Sequence, residues 1–120
     1  MDLTELQSRV LAEIDGYRYG YAGGLVGGAW SADEVCAKLQ VFRRALDELY
    51  WADVVRRDTA DQIRMAHPPV DHCAIVADDK EGMLLAFDPA AAEYLLVQRR
   101  EGVLESLGVN GDAVGCFMAR

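Results

Sequence analysis

The change in hydrophobic period near residue 66 constrains this chain more than any other feature. Before it, apolar residues recur at spacings of three and four, the mark of helices with one buried face. After it, short apolar runs are punctuated by acidic, Gly or Pro residues: 72–77, 83–88, 94–98 and 113–118. Runs of that length between turn residues read as strands joined by hairpins. A chain of 120 residues is enough for one hydrophobic core. The expected fold is one α+β domain over 1–120. Its helical half (1–66) packs on a C-terminal, mainly antiparallel sheet of about four strands (70–120).

The helical half has local start signals. Asp2 followed by Glu5 reads as a capping box ahead of the stripe Leu3, Leu6, Val10, Ile14 and Tyr17, which ends near Gly16 or Gly20. Residues 17–30 hold five glycines and four aromatics, so they form a connector that neither helix nor strand favours. Ser31 with Glu34 is a second capping box, and Trp30 with Val35 a hydrophobic staple. The stripe Val35, Leu39, Phe42, Leu46 and Leu49 continues that helix. Tyr50, Trp51, Val54 and Val55 either extend it or open a new element. A short helix over 60–66, capped by Asp58 or Thr59, stops before Pro68.

In the second half, 78–82 and 88–93 are hairpin turns, 102–107 suggests one or two helical turns, and Asn110-Gly111 leads into the last strand. The strands are apolar on both faces: Cys73, Ile75 and Ala77 alternate with Ala74 and Val76. A half-exposed sheet would alternate apolar with polar. Helices on both faces, or a partner subunit on one, would account for this.

Net charge is −8. Nucleic-acid binding and docking on anionic membranes need a basic footprint, so both are excluded as expectations. No apolar run is long enough to span a bilayer, and the acidic start lacks a signal peptide's basic and apolar regions. Cys36, Cys73 and Cys116 are odd in number and set among apolar residues, as fits buried, reduced thiols in the cytoplasm.

His67, Asp71, His72 and Cys73 place four metal-ligand types within seven residues. The spacing matches no usual zinc pattern, and His72 and Cys73 should point to opposite strand faces. The same cluster raises thiol catalysis, but a reactive thiolate needs an electropositive, partly exposed setting. The Gly-rich stretch lacks the preceding strand and the terminal Gly-Lys-Ser/Thr of a phosphate loop. No cofactor is expected.

Two surfaces remain. Asp78, Asp79 and Glu81 form an acidic hairpin with only Lys80 beside them. The sheet half is the more acidic one, with 9 acidic against 4 basic residues, where the first 66 residues have 11 against 8. Tyr19, Tyr21 and Trp30 are the aromatic candidates for contact, since interfaces favour Tyr and Trp. A small acidic chain without a catalytic constellation has the profile of a bacterial immunity or inhibitor protein that covers a basic toxin or nuclease with carboxylates. The expected partner is a basic protein. The alternatives are an accessory subunit that homodimerises through an apolar sheet face, and a small metal- or thiol-dependent enzyme using residues 67–73.

Overall fold

Helix α1 (Leu3–Gly16) starts where the Asp2 carboxylate accepts the Thr4 backbone N–H at 2.9 Å. In the computed structural model, residues 2–17 and 32–119 are described. Leu6, Val10 and Ile14 of the expected stripe are buried, with Leu3 and Tyr17 packed partly against the same core. Glu5, read as the capping-box partner, faces Arg9 one turn on. Helix α2 (Ala32–Ala45) buries Val35, Phe42 and Ala45. The Ser31 cap, the Trp30 staple and the aromatic connector with Tyr19 and Tyr21 lie outside the described residues.

The helical stripe ends at Ala45, earlier than expected. Residues Leu46–Val55 form strand β1, so Leu46 and Leu49 reach the core from a strand. The run Tyr50, Trp51, Val54, Val55 suits a pleated surface better than a helix. Pairing with β2 (Val70–Asp78) settles it: β1 and β2 run antiparallel from Leu46↔Ala77 to Val55↔Val70, with an irregularity between Leu46 and Tyr50. Asp53 lies on this strand, so an i,i+4 helical pairing of Asp53 with Arg57 does not form. Arg43 bonds Asp15 of α1, and the side chains of Asp47 and Glu48 lie outside the description. Helix α3 (Ala60–Arg64) is capped by Thr59, whose hydroxyl accepts the Gln62 backbone N–H while the Gln62 side-chain Oε1 accepts the Thr59 N–H.

Strands β3 (Met83–Asp88) and β4 (Glu93–Arg100) follow as expected, in antiparallel register. The last two elements are exchanged relative to the sequence reading. Val103–Gly111 is strand β5, and Ala113–Met118 is helix α4. Glu101 and Gly102, both at positive φ, make a tight turn that returns β5 along β4. Asp112 caps α4 by accepting the Gly115 N–H, and Glu13 of α1 accepts the Val114 N–H at 2.7 Å. The residues at 113, 114, 116 and 117 are buried at helical spacing. Phe117 stacks on Phe42 of α2, with centroids 4.4 Å apart.

The sheet is a closed five-stranded barrel, β1-β2-β3-β4-β5, not an open sheet of four strands. Closure explains why the strands are apolar on both faces. Ala74, Val76, Leu85 and Phe87 point outward under α1, α2 and α4. Val54, Cys73, Ile75, Leu84, Ala86, Leu95 and Val97 form a second core. These alternate with the outward set along their strands, so they face the barrel interior. One face is covered by helices and the other by the sheet itself, so neither a second helical layer nor a partner subunit is needed. Each buried Val, Leu, Ile or Phe among them contributes about 1.5–3 kcal/mol. No helix among the described residues is long and apolar enough to cross a membrane.

Closure is narrow. β5 meets β1 in parallel at one pair, Val55↔Glu105. Beyond it the chain after β1 holds β5 with side chains. The Arg57 N–H donates to the Ser106 hydroxyl, and the Gly108 N–H to the Asp58 carboxylate. Gly108 has φ +78°, and a Cβ there would lie 3.1 Å from the Asp58 carbonyl oxygen. Only glycine meets both demands without strain.

Candidate functional site

Strand alternation sorts the polar residues of β1 and β2 onto two faces. Ala52, Val54 and Arg56 point inward, as do Asp71 and Cys73. Trp51 and Asp53 point outward, as do Val70 and His72.

Arg56 closes one mouth of the barrel. Its Nε lies 3.2 Å from Asp58 and 3.1 Å from Asp71, and its Nη2 lies 3.8 Å from Asp88 and 3.7 Å from Glu93. These carboxylates come from four places in the chain, each where a strand ends or a linker begins. The cluster is sealed on its inner side, with the Arg56 side chain 11% exposed and Asp88 4%, while Asp71 and Glu93 sit half-buried at the rim. Asp88 also accepts the Ala90 and Ala91 N–H groups and so shapes the β3–β4 turn. One cation among four carboxylates holds the mouth together. Arg56 Nη1 is buried without a hydrogen-bond partner among the described residues.

The outward face carries a different array. Asp53 and His72 are cross-strand partners, with His72 Nδ1 3.0 Å from Asp53 Oδ1. Trp51 lies diagonally opposite His72, and the rings stack at 5.4 Å and 12°. Trp51 pairs with Ala74, which the helices cover. Asp53 and Val55 pair with His72 and Val70, which they leave open. The side chains of Asp53 and His72 are 73% and 63% exposed. Here the fold leaves a tryptophan, an aspartate and a histidine together on a bare sheet surface.

The acidic hairpin is partly committed to its own turn. Asp78 accepts the Lys80 N–H and faces Arg99, while Asp79 accepts the N–H groups of Glu81 and Met83. Glu81 is exposed. With Val41, Arg44 and Ala45 of α2, the hairpin lines a shallow cleft of about 510 Å³. A second cleft, about 420 Å³, lies between α3 and β5, where Glu105 takes both Arg57 and Arg100.

The fold disperses residues 67–73. His67 is exposed ahead of Pro68, Asp71 turns to Arg56, His72 faces out with Asp53, and Cys73 is buried in the barrel. Among the described residues, no group of three His, Cys, Asp or Glu is placed to hold a metal ion. Burial, and then the Asp88 charge, push the Cys73 thiol up to about 12. Burial does the same to Cys116, to about 11, with Asp112 and Glu13 adding to it. Both thiols are therefore held in the unreactive protonated form. Cys36 is exposed.

Neither the Arg56 mouth nor the Trp51 array was assembled from sequence. The available signal for the Trp51 array was alternation through Trp51, Asp53 and Val55, of no use while that run could equally extend the helix before it. No family model, curated protein or solved structure matches this chain.

Proposed function

We propose that this protein works by binding a basic protein, in the manner of an immunity or inhibitor protein. The observation that carries this reading is the bare outer face of β1 and β2. There Trp51 and His72 stack beside the exposed carboxylate of Asp53, on a chain of net charge −8. Aromatic anchors with acidic neighbours suit a contact that is steered by charge and held by ring packing. Glu81, at the tip of the acidic hairpin, adds to the field that draws a cationic partner in. The apolar strand faces in the two core clusters are used within the monomer, so a homodimer would need a surface other than these. The divergence of His67, Asp71, His72 and Cys73 speaks against the metal or thiol enzyme.

The test is affinity capture from the source cell at low and at high salt, with the eluate identified by mass spectrometry. A basic protein held at low salt and released by high salt is the expected result, since exposed charges are screened. Recovery of no partner, or only of one that resists salt, would overturn the reading.

A further inference from the structure

Asp53 and His72 form a pair of fixed polarity. An ionised carboxylate only accepts hydrogen bonds, so the 3.0 Å contact requires the hydrogen on His72 Nδ1. The neutral ring then carries its free lone pair on Nε2. Among the described residues, Nε2 has no hydrogen-bond partner. The pair is held by register, because the two residues face each other across the β1–β2 ladder. Trp51, stacked on the imidazole, limits its rotation. Both side chains are more than half exposed. The neighbouring charges are engaged elsewhere. Asp71, beside His72 on β2, points inward to Arg56, and Asp88 at the end of β3 joins it there. The helices cover the same face of β2 further along, at Ala74 and Val76, and no ion pair joins them to His72 among the described residues.

We propose that His72 makes the contact with a basic partner depend on pH: its neutral ring accepts a hydrogen bond from a cationic group of the partner at Nε2, and protonation of the ring releases that group. This regulation rests on the functional reading above. Histidine is the side chain that changes charge between pH 5 and 8. Here the change acts twice, in one direction. It turns the acceptor at Nε2 into a donor, which a guanidinium or ammonium group cannot bond. It also takes the Asp53–His72 pair from a charge of −1 to zero, which removes the local attraction for a cation. Affinity for the partner is therefore full above this pH range and declines as pH drops through it. Ordinary carboxylates elsewhere on the surface do not imitate the step, because they take up protons mainly below pH 5.

The first readout needs no partner. In the untagged full chain carrying His67→Gln, His72 is the single imidazole, and its nitrogen chemical shifts report both tautomer and charge. At pH 8.5 the ring is expected to carry its hydrogen on Nδ1. The second readout is the affinity of hexa-arginine for the full chain at low salt, measured by calorimetry at pH 7.5 and 5.5. The wild type is expected to lose at least about threefold between the two, in step with the titration of the ring. His72→Gln has an amide oxygen to stand in for Nε2 and does not titrate. It should keep most of the affinity at pH 7.5 and bind alike at both values, and that retained binding also shows that the variant is folded. A hydrogen on Nε2 at pH 8.5 would overturn the proposal. So would a wild-type affinity that does not decline, an equal decline in His72→Gln, or failure of hexa-arginine to bind at pH 7.5. Should any of these occur while salt-sensitive capture still yields a basic partner, the pH control alone falls. If capture fails as well, the functional reading falls with it.

Discussion

Two polar clusters share β1 and β2, and they differ in almost every physical respect. Arg56 and Asp71 point into the barrel mouth, where a nearly buried cation meets four carboxylates. Asp53 and His72, a few residues away, point to water beside Trp51. The pleat puts them on opposite faces. The first cluster is placed to hold the strand ends and linkers together, because a buried charge must be matched. The second adds little to stability, because exposed pairs are worth at most about 1 kcal/mol. The lesson is that a strand can carry a buried ion cluster and an exposed polar array in neighbouring residues.

The contrast can be broken most directly at Arg56. Arg56→Met removes the cation and leaves Asp58, Asp71, Asp88 and Glu93 facing one another, with an expected loss of about 3–5 kcal/mol. Urea denaturation measures it. A loss below about 1 kcal/mol would mean that the mouth is solvated and the two clusters are alike.

Gly108→Ala tests the strap that holds β5 to the chain after β1. Positive φ and the nearby Asp58 carbonyl predict a loss of about 1–3 kcal/mol. Thermal unfolding read beside the wild type decides it, and an unchanged midpoint would mean that the strap shifts freely.

The interior can be sharpened by pH. Cys73 and Cys116 have folded-state values near 12 and 11, above the ordinary 9.0. Above pH 9 the unfolded chain loses these protons first, so stability should decline from pH 9 upward and be insensitive to them below it. Cys73→Ala with Cys116→Ala should flatten that decline in denaturation curves taken from pH 8 to 11. In the native protein a thiol reagent at pH 8 should label Cys36 rapidly and the other two only on unfolding.

The smallest effect belongs to the outer face. Asp53→Asn and His72→Gln should each change stability by less than about 0.5 kcal/mol. A larger loss in the same urea assay would make this face structural, and the comparison would fail.

Much of this was legible before the fold was known. Asp2, Leu6, Val10 and Ile14 define α1 by themselves, because capping and a 3.6-residue stripe are local properties. The three strands that contain Cys73, Phe87 and Leu95 follow from short apolar runs between turn residues. Segments of intermediate character were not legible. Tyr50–Val55 and Ala113–Met118 are each apolar and about as long as either a strand or a turn or two of helix. Which they became depended on the partner each met: β2 for the first, and Phe42 with the Glu13 cap for the second.

The sequence by itself determined an acidic chain of α+β class with local helix caps and hairpin turns, since these depend on neighbours in the chain. Tertiary structure alone decided that the sheet closes, that Arg56 gathers carboxylates from four segments, and that Trp51, Asp53 and His72 share an open face. Those facts depend on register between strands far apart in sequence. A shift of one residue in that register exchanges the inner face for the outer.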